Sequence, residues 1–133
     1  PDTMQQAPSY DDVVADIHRF LAERINACAQ AGISKDRLVL DPGFGFGKAL
    51  GHNYQLLNQL ENFHQLGLPL LVGISRKTMI GKVLNDRPAD QRLSGSIAAA
   101  VIAAMKGAAI LRVHDVAETH DAVQIVEATL VKS

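Results

Sequence analysis

Residues 38–48 read LVLDPGFGFGK, and this stretch indicates how the chain folds. The apolar run 38–40 predicts a buried strand, and Asp41 stands where that strand ends. The glycines at alternate positions of 43–47 predict a tight loop after the strand. An apolar strand that ends in a carboxylate and a loop is typical of parallel α/β proteins, in which polar side chains collect at the carboxyl ends of the strands.

Two further apolar runs, at 68–73 and 109–111, predict two more strands. Helical patterns precede, separate and follow the strands, and one of them, at 94–106, is apolar nearly all round. The fold class is therefore α/β. One helix followed by three strand–helix units predicts the C-terminal part of a (β/α)8 TIM barrel, with about three parallel strands and four or five helices. A small open three-stranded α/β domain is the alternative.

The first helix carries signals at both ends. Ser9 followed by Asp12 resembles a capping box, and Gly32 is expected to end the helix. Between them, apolar residues at helical spacing include Phe20 and Cys28, which predicts that this face packs in the core.

Composition excludes several functions. The net charge is −1 and the pI is near 6.6, so neither a nucleic acid nor an anionic membrane surface is an expected partner. No apolar run approaches the roughly 20 residues that span a bilayer, and the N-terminus has no signal-peptide pattern. The single cysteine cannot form an internal disulfide, which agrees with a cytoplasmic location.

The loop that follows Asp41 does not match a known phosphate loop. Gly43 and Gly47 are one residue too close for a Walker A motif, and the dinucleotide pattern G-x-G-x-x-G also fails. A buried carboxylate can instead accept two parallel hydrogen bonds from a planar heterocycle, while the glycines let Phe46 cover a flat ligand. Equally, Asp41 could cap the next helix and the glycines could simply turn the chain.

The other two strands also end in polar groups. Ser75, Arg76 and Lys77 follow the second strand, where they form either an anion site or a solvated loop. Arg112 and His114 alternate after the third strand and therefore point to one side, as a diphosphate site requires. The next residue, an aspartate at 115, could cap the last helix. The other histidines are expected at the surface, and neither a nucleophile–base pair nor a zinc-like cluster is apparent.

Four segments together resemble the dihydropteroate synthase family: DPGFGFGK at 41–48, GISRK at 73–77, RLSGS at 92–96 and RVHDV at 112–116. The resemblance covers essentially the whole chain and implies a (β/α)8 barrel. Because the family barrel is about twice as long, residues 1–133 are expected to form the C-terminal part of a single pterin-binding domain, with the N-terminal half absent.

The resemblance also implies roles for individual residues. Those expected to bind the pterin are Asp41, Gly73, Lys77 and Arg112. Those expected to bind 4-aminobenzoate, or a sulfonamide in its place, are Phe46, Ser75 and Lys77. Those expected to bind the diphosphate are Arg112, His114 and, as a supporting residue, Arg76. The residues expected to act in catalysis are Lys77, Arg112 and His114.

The implied enzyme is a transferase of folate biosynthesis that joins a dihydropterin diphosphate to 4-aminobenzoate and releases diphosphate. Mg²⁺ is the implied cofactor, and its ligands are expected in the missing N-terminal half, with none in this fragment. That half and a second copy, bound through helix 94–106, are the expected protein partners. The isolated fragment is expected to be inactive. The alternatives are a pterin-binding methyltransferase barrel and a non-catalytic pterin-binding fragment.

Overall fold

The computed structural model of the chain describes residues 12–45 and 48–131. Its α-helices are α1 (Val13–Gln30), α2 (Leu50–Asn58), α3 (Thr78–Val83), α4 (Leu93–Met105) and α5 (Val116–Leu130). Its strands are β1 (Leu71–Val72) and β2 (Ile110–Leu111), and short 3₁₀ helices lie at Lys35–Arg37, Leu60–Leu66 and Ala89–Gln91. Ser9, Phe46 and Gly47, for which the sequence makes predictions, lie outside the described residues.

The three predicted strands lie side by side and run parallel, in chain order. β1 pairs with β2 in parallel, and Leu40 forms a parallel bridge to Leu70, next to β1. Within the described part of the chain, regular pairing is shorter than predicted, because the first strand is reduced to this single bridge. The ladder nevertheless continues past β2, where the Arg112 amide donates to the carbonyl of Val72 at 2.9 Å. The polar residues after the strands therefore leave from one edge.

Helix α1 begins and ends at side-chain and glycine signals. Asp12 is its N-cap, and its carboxylate accepts a hydrogen bond from the amide of Ala15 at 3.1 Å. Gly32 follows the last turn with a φ of 85°, a left-handed conformation that favours glycine, which confirms the predicted end of the helix. The apolar face is narrower than predicted, because Phe20 is 58% exposed and Cys28 is only partly buried.

The core lies between the strands and the first two helices. Helix α1 contributes Val13, Val14, Ile17 and Leu21 to it, and the segment 56–63 contributes Leu56, Leu57, Leu60 and Phe63. The sheet contributes Leu40, Leu70 and Val72. Helix α4, predicted to be buried on more than one side, packs against α5 and buries Ala99, Ala100 and Ala103, but Ile102 and Met105 stay exposed.

No helix among the described residues is both long and apolar enough to cross a membrane.

Candidate active site at the carboxyl ends of the strands

Asp41 and Arg112 face each other across the strand ends, as the sequence predicts. One carboxylate oxygen of Asp41 accepts a hydrogen bond from the amide of Gly43 at 2.9 Å, which folds the loop back on the strand. The other oxygen lies 4.0 Å from Nη1 of Arg112. Asp41 does not cap α2, whose N-cap Ala49 makes no side-chain hydrogen bond. The capping alternative is therefore wrong, and the carboxylate is 40% exposed rather than buried.

The guanidinium group of Arg112 lies directly against the backbone of Gly73. A Cβ atom at position 73 would come within 2.6 Å of Nη2 and 2.9 Å of Cζ of Arg112. Such distances are shorter than real Cβ contacts, so any side chain at 73 would push the guanidinium away. Gly73 thus acts by leaving room for Arg112, a role that the sequence motif alone does not reveal.

Lys77 crosses the site from the opposite side. Its Nζ donates a hydrogen bond to the carbonyl of Phe44 at 2.8 Å, and its stem passes the backbone of Gly45. Burial and the nearby Arg112 lower the pKa of Lys77, although Asp41 opposes that effect. A bound anion would stabilise the charged form of this lysine, so the site is electrostatically suited to a negatively charged ligand.

The loop after Asp41 is held by a buried asparagine that sequence reasoning missed. Asn53, which is 4% exposed, accepts a hydrogen bond from the amide of Gly45 at 2.8 Å and donates to the carbonyls of Lys48 and Ala49 at 3.4 and 3.3 Å. It therefore holds both sides of the segment that contains Phe46. The only sequence signal was a polar residue on the apolar side of α2, next to Leu56 and Leu57.

A second lysine reinforces the same loop. The Nζ of Lys48 donates to the carbonyl of Gly43, and its pKa is lowered by burial and by Lys77, with Asp41 opposing. Phe44 is 1% exposed and belongs to the core, so its ring is not available to cover a ligand.

Ser75 and His114 form a direct contact across neighbouring strand ends. The hydroxyl oxygen of Ser75 lies 2.9 Å from Nδ1 of His114 and accepts the backbone amide of the same histidine at 3.3 Å. Donation of the hydroxyl proton to Nδ1 satisfies both groups and leaves Nε2 as the protonated nitrogen of the neutral ring. His114 then has an N–H donor left to offer to an anion.

Arg76 lies at the edge of the site and pairs with the residue expected to cap the last helix. Its Nη2 donates to the carboxylate of Asp115 at 3.3 Å. Asp115 occupies the N-cap position of α5 but makes no side-chain capping bond. The predicted side-chain cap is therefore wrong, because the carboxylate of Asp115 contacts Arg76 instead of a helix amide.

An open groove of about 1040 Å³ extends from the loop after Asp41 to α3. Among the described residues that line it, none is acidic, and the basic ones are Lys48, Arg76, Lys77, Lys82 and Arg92. An electropositive groove beside Lys77 favours a ligand that carries a negative charge.

Of the other histidines, His64 and His120 are exposed, as expected, whereas His18 and His52 are half-buried. His64 donates from Nε2 to the carbonyl of Lys106 at 2.8 Å, which links the end of α4 to the 3₁₀ segment 60–66. Residues 12–45 and 48–131 contain no group of three or more His, Cys, Asp or Glu side chains that could hold a metal ion.

Fold and site together define a class of protein: a parallel α/β chain whose strands carry a carboxylate, Asp41, and several cationic side chains at their carboxyl ends. The chain belongs to the pterin binding enzyme family, whose model matches residues 1–114. The prediction made from the four motifs is thereby confirmed.

Named relatives point the same way. The chain is 63% identical to the dihydropteroate synthase of Escherichia coli K12, over 98% of the chain and 46% of that protein. It is 57% identical to the dihydropteroate synthase of Haemophilus influenzae, again over 46% of that protein. The chain thus spans about half the length of the curated relatives it matches.

Solved structures confirm the fold. A dihydropteroate synthase from Xanthomonas albilineans in complex with 7,8-dihydropteroate superposes with a TM-score of 0.92 and 51% identity, over 97% of this chain and 49% of that one. The Yersinia pestis enzyme in a sulfonamide drug complex also has a TM-score of 0.92, with 60% identity over 96% of this chain and 46% of that one. The prediction of a partial (β/α)8 barrel, rather than a small open sheet, is confirmed.

Proposed function

We propose that the chain supplies the C-terminal half of the active site of a dihydropteroate synthase. The observation that carries the proposal is the convergence of Asp41, Lys77, Arg112 and His114 from three strand ends onto one electropositive edge. Solved relatives of this fold bind 7,8-dihydropteroate, 4-aminobenzoic acid and a sulfonamide drug, which supports the same ligand classes here.

The proposed roles are those that the resemblance implies, and the geometry of the site supports them. Asp41 accepts hydrogen bonds from the amino edge of the pterin with the oxygen that faces Arg112. Arg112 lies flat on Gly73, where it can stack beside the ring and bind the diphosphate with its outer nitrogens. His114, held through Nδ1 by Ser75, offers Nε2–H to the diphosphate. Lys77, together with Ser75 and Phe46 as the resemblance implies, is proposed to contact 4-aminobenzoate or a sulfonamide.

The proposed reaction breaks the bond between the pterin methylene carbon and the diphosphate oxygen. The arylamine nitrogen of 4-aminobenzoate forms the new bond to this carbon, and the proton that this nitrogen loses passes to the solvent. Arg112 and His114 stabilise the negative charge that grows on the leaving group, which is the main electrostatic contribution that these residues can make. The nucleophile belongs to the substrate, so no activated serine or cysteine is required.

We also propose Mg²⁺ as an activator of the leaving diphosphate, with its ligands in the N-terminal half of the barrel, as the resemblance implies. We also propose a cytoplasmic location, which the free thiol of Cys28 fits.

The outer face of β2 and α5 is the proposed contact with the other half of the barrel. A groove of about 520 Å³ lies there, lined by apolar residues that include Val113, Val123 and Val126. Ile110 and Val131 beside it are 43% and 72% exposed. We propose a separate homodimer contact on α4, where Ile102 and Met105 are exposed three residues apart and therefore share a face.

Reconstitution tests the proposed function. The chain alone is expected to show no diphosphate release from the pterin diphosphate. After mixing with a separately expressed N-terminal half of the Escherichia coli relative, release is expected to depend on 4-aminobenzoate. Asp41→Asn should abolish that release, whereas Asp36→Asn, which changes an exposed carboxylate in the 3₁₀ helix Lys35–Arg37, should not. Turnover by the chain alone, or reconstituted turnover that survives Asp41→Asn, would contradict the proposal.

A further inference from the structure

The turn that carries Ser75 and Lys77 has an unusual backbone. The amide of Lys77 donates to the carbonyl of Ile74 at 2.9 Å, which closes a four-residue turn. Arg76, the third residue of that turn, has a φ of 61°. This position favours glycine or asparagine, because other side chains are strained in the left-handed region. An arginine stays there only when its surroundings hold the backbone in place.

Two residues at the start of α4 contact this strained peptide. The hydroxyl of Ser96, a residue that is 6% exposed, accepts the amide of Arg76 at 2.9 Å. Nη1 of Arg92 donates to the carbonyl of Arg76 at 2.7 Å. Both bonds involve the backbone of Arg76, so they do not depend on its side chain.

The guanidinium group of Arg92 is itself fixed. Its Nε donates to the carbonyl of Arg87 at 2.7 Å, and its flat face lies against Gly81, where a Cβ atom would collide with it. A lysine at position 92 would keep the charge but could not bridge two carbonyls in this way.

We propose that Arg92 and Ser96 are positioning residues, which hold Arg76 in the left-handed conformation and thereby set the places of Ser75 and Lys77. The turn aims Ser75 at Nδ1 of His114 and Lys77 at the carbonyl of Phe44. The positions of Ser75 and Lys77 do not depend on the proposed function; only the use of these residues in ligand binding rests on it. It also accounts for the RLSGS segment at 92–96, whose arginine and last serine are the two residues in contact with the turn.

The test compares Ser96→Ala in two backgrounds, Arg76→Ala and Arg76→Gly. Both backgrounds lack the contact with Asp115, but only glycine adopts a left-handed backbone without steric strain. The readout is the ¹⁵N signal of Nδ1 of His114, which reports its hydrogen bond with Ser75. We expect Ser96→Ala to shift this signal in the alanine background and to leave it nearly unchanged in the glycine background.

Two further variants make the test specific. Arg92→Lys should reproduce the pattern of Ser96→Ala in both backgrounds, and it serves in place of Ser96→Ala if circular dichroism shows that variant to be unfolded. Tyr54→Phe removes a hydroxyl that donates to the carbonyl of Met79 at 2.8 Å, two residues beyond the turn, without contacting Arg76, and should not shift the His114 signal. Equal shifts in the two backgrounds, no shift in either, or a shift with Tyr54→Phe would overturn the proposal. The readout needs no ligand, so it stands whether or not the reconstituted enzyme turns over.

Discussion

Gly73→Ala separates the function of the site from the stability of the fold. The new Cβ would lie 2.6 Å from Nη2 of Arg112, which must then move away. That guanidinium is the far end of a side chain that is 58% exposed, so it can move without disturbing the core. Gly73 is not in the left-handed region, and a glycine-to-alanine change at such a backbone usually alters the free energy of unfolding by less than about 1 kcal/mol.

The expected loss is therefore in anion binding. A hydrogen bond to a charged group contributes about 1.5–3 kcal/mol, which corresponds to about 10- to 150-fold in affinity. Inorganic pyrophosphate titrated into the ¹⁵N-labelled chain measures this affinity by chemical shift, and urea unfolding measures stability. The matched control is Gly51→Ala in α2, where a Cβ meets no atom within 4 Å and should stabilise the helix by about 0.5–1 kcal/mol.

The reasoning fails if Gly73→Ala binds pyrophosphate as tightly as the parent chain. It also fails if the variant loses more than about 2 kcal/mol of stability, which would mean that Arg112 supports the core.

Three further predictions concern the loop and the titratable groups. Asn53→Ala should lower the free energy of unfolding by about 2 kcal/mol in urea, because it leaves the partly buried amide of Gly45 without its acceptor. Asn53→Asp should lose at least as much, since its carboxylate would be buried and would face the carbonyls of Lys48 and Ala49; a smaller loss than that of Asn53→Ala would contradict this role. Burial and Arg112 lower the pKa of Lys77 below 10.5, so the unfolded chain binds more protons just below that pH. The free energy of unfolding of the parent chain minus that of Lys77→Met should therefore increase with pH in this window. A flat or falling difference would contradict the lowered pKa of Lys77. Burial raises the pKa of Tyr54 above 10.0, so an absorbance titration should show a late tyrosine step that Tyr54→Phe removes. The contribution of the neutral Tyr54 hydroxyl to the free energy of unfolding should be lost as the pH rises above 10.0.

Much of the architecture could be predicted from the sequence. Apolar runs that end in polar residues predicted parallel strands, because a strand buried on both faces must be apolar throughout. The same logic predicted that Asp41, Lys77 and His114 lie at one edge of the sheet, since the carboxyl ends of parallel strands meet there. Gly32 was also readable as the end of α1, because the signal and its effect are neighbours in the chain.

The extent of regular pairing was less predictable. Apolar composition shows that a segment is buried, but the number of paired residues depends on where its neighbours lie. Leu40 therefore appears as one bridge to Leu70 rather than as a longer strand.

Only the tertiary structure determined which partner each polar group contacts. The sequence predicted that Asp115 could cap α5, but its carboxylate contacts Arg76, which lies 39 positions earlier in the chain. Asn53 gave no sequence signal beyond its place on an apolar face, yet it holds the loop after Asp41 from within the core. The sequence determined where polar groups emerge, because that follows from local periodicity. Their pairing depends on distances between elements far apart in the chain, which periodicity does not encode.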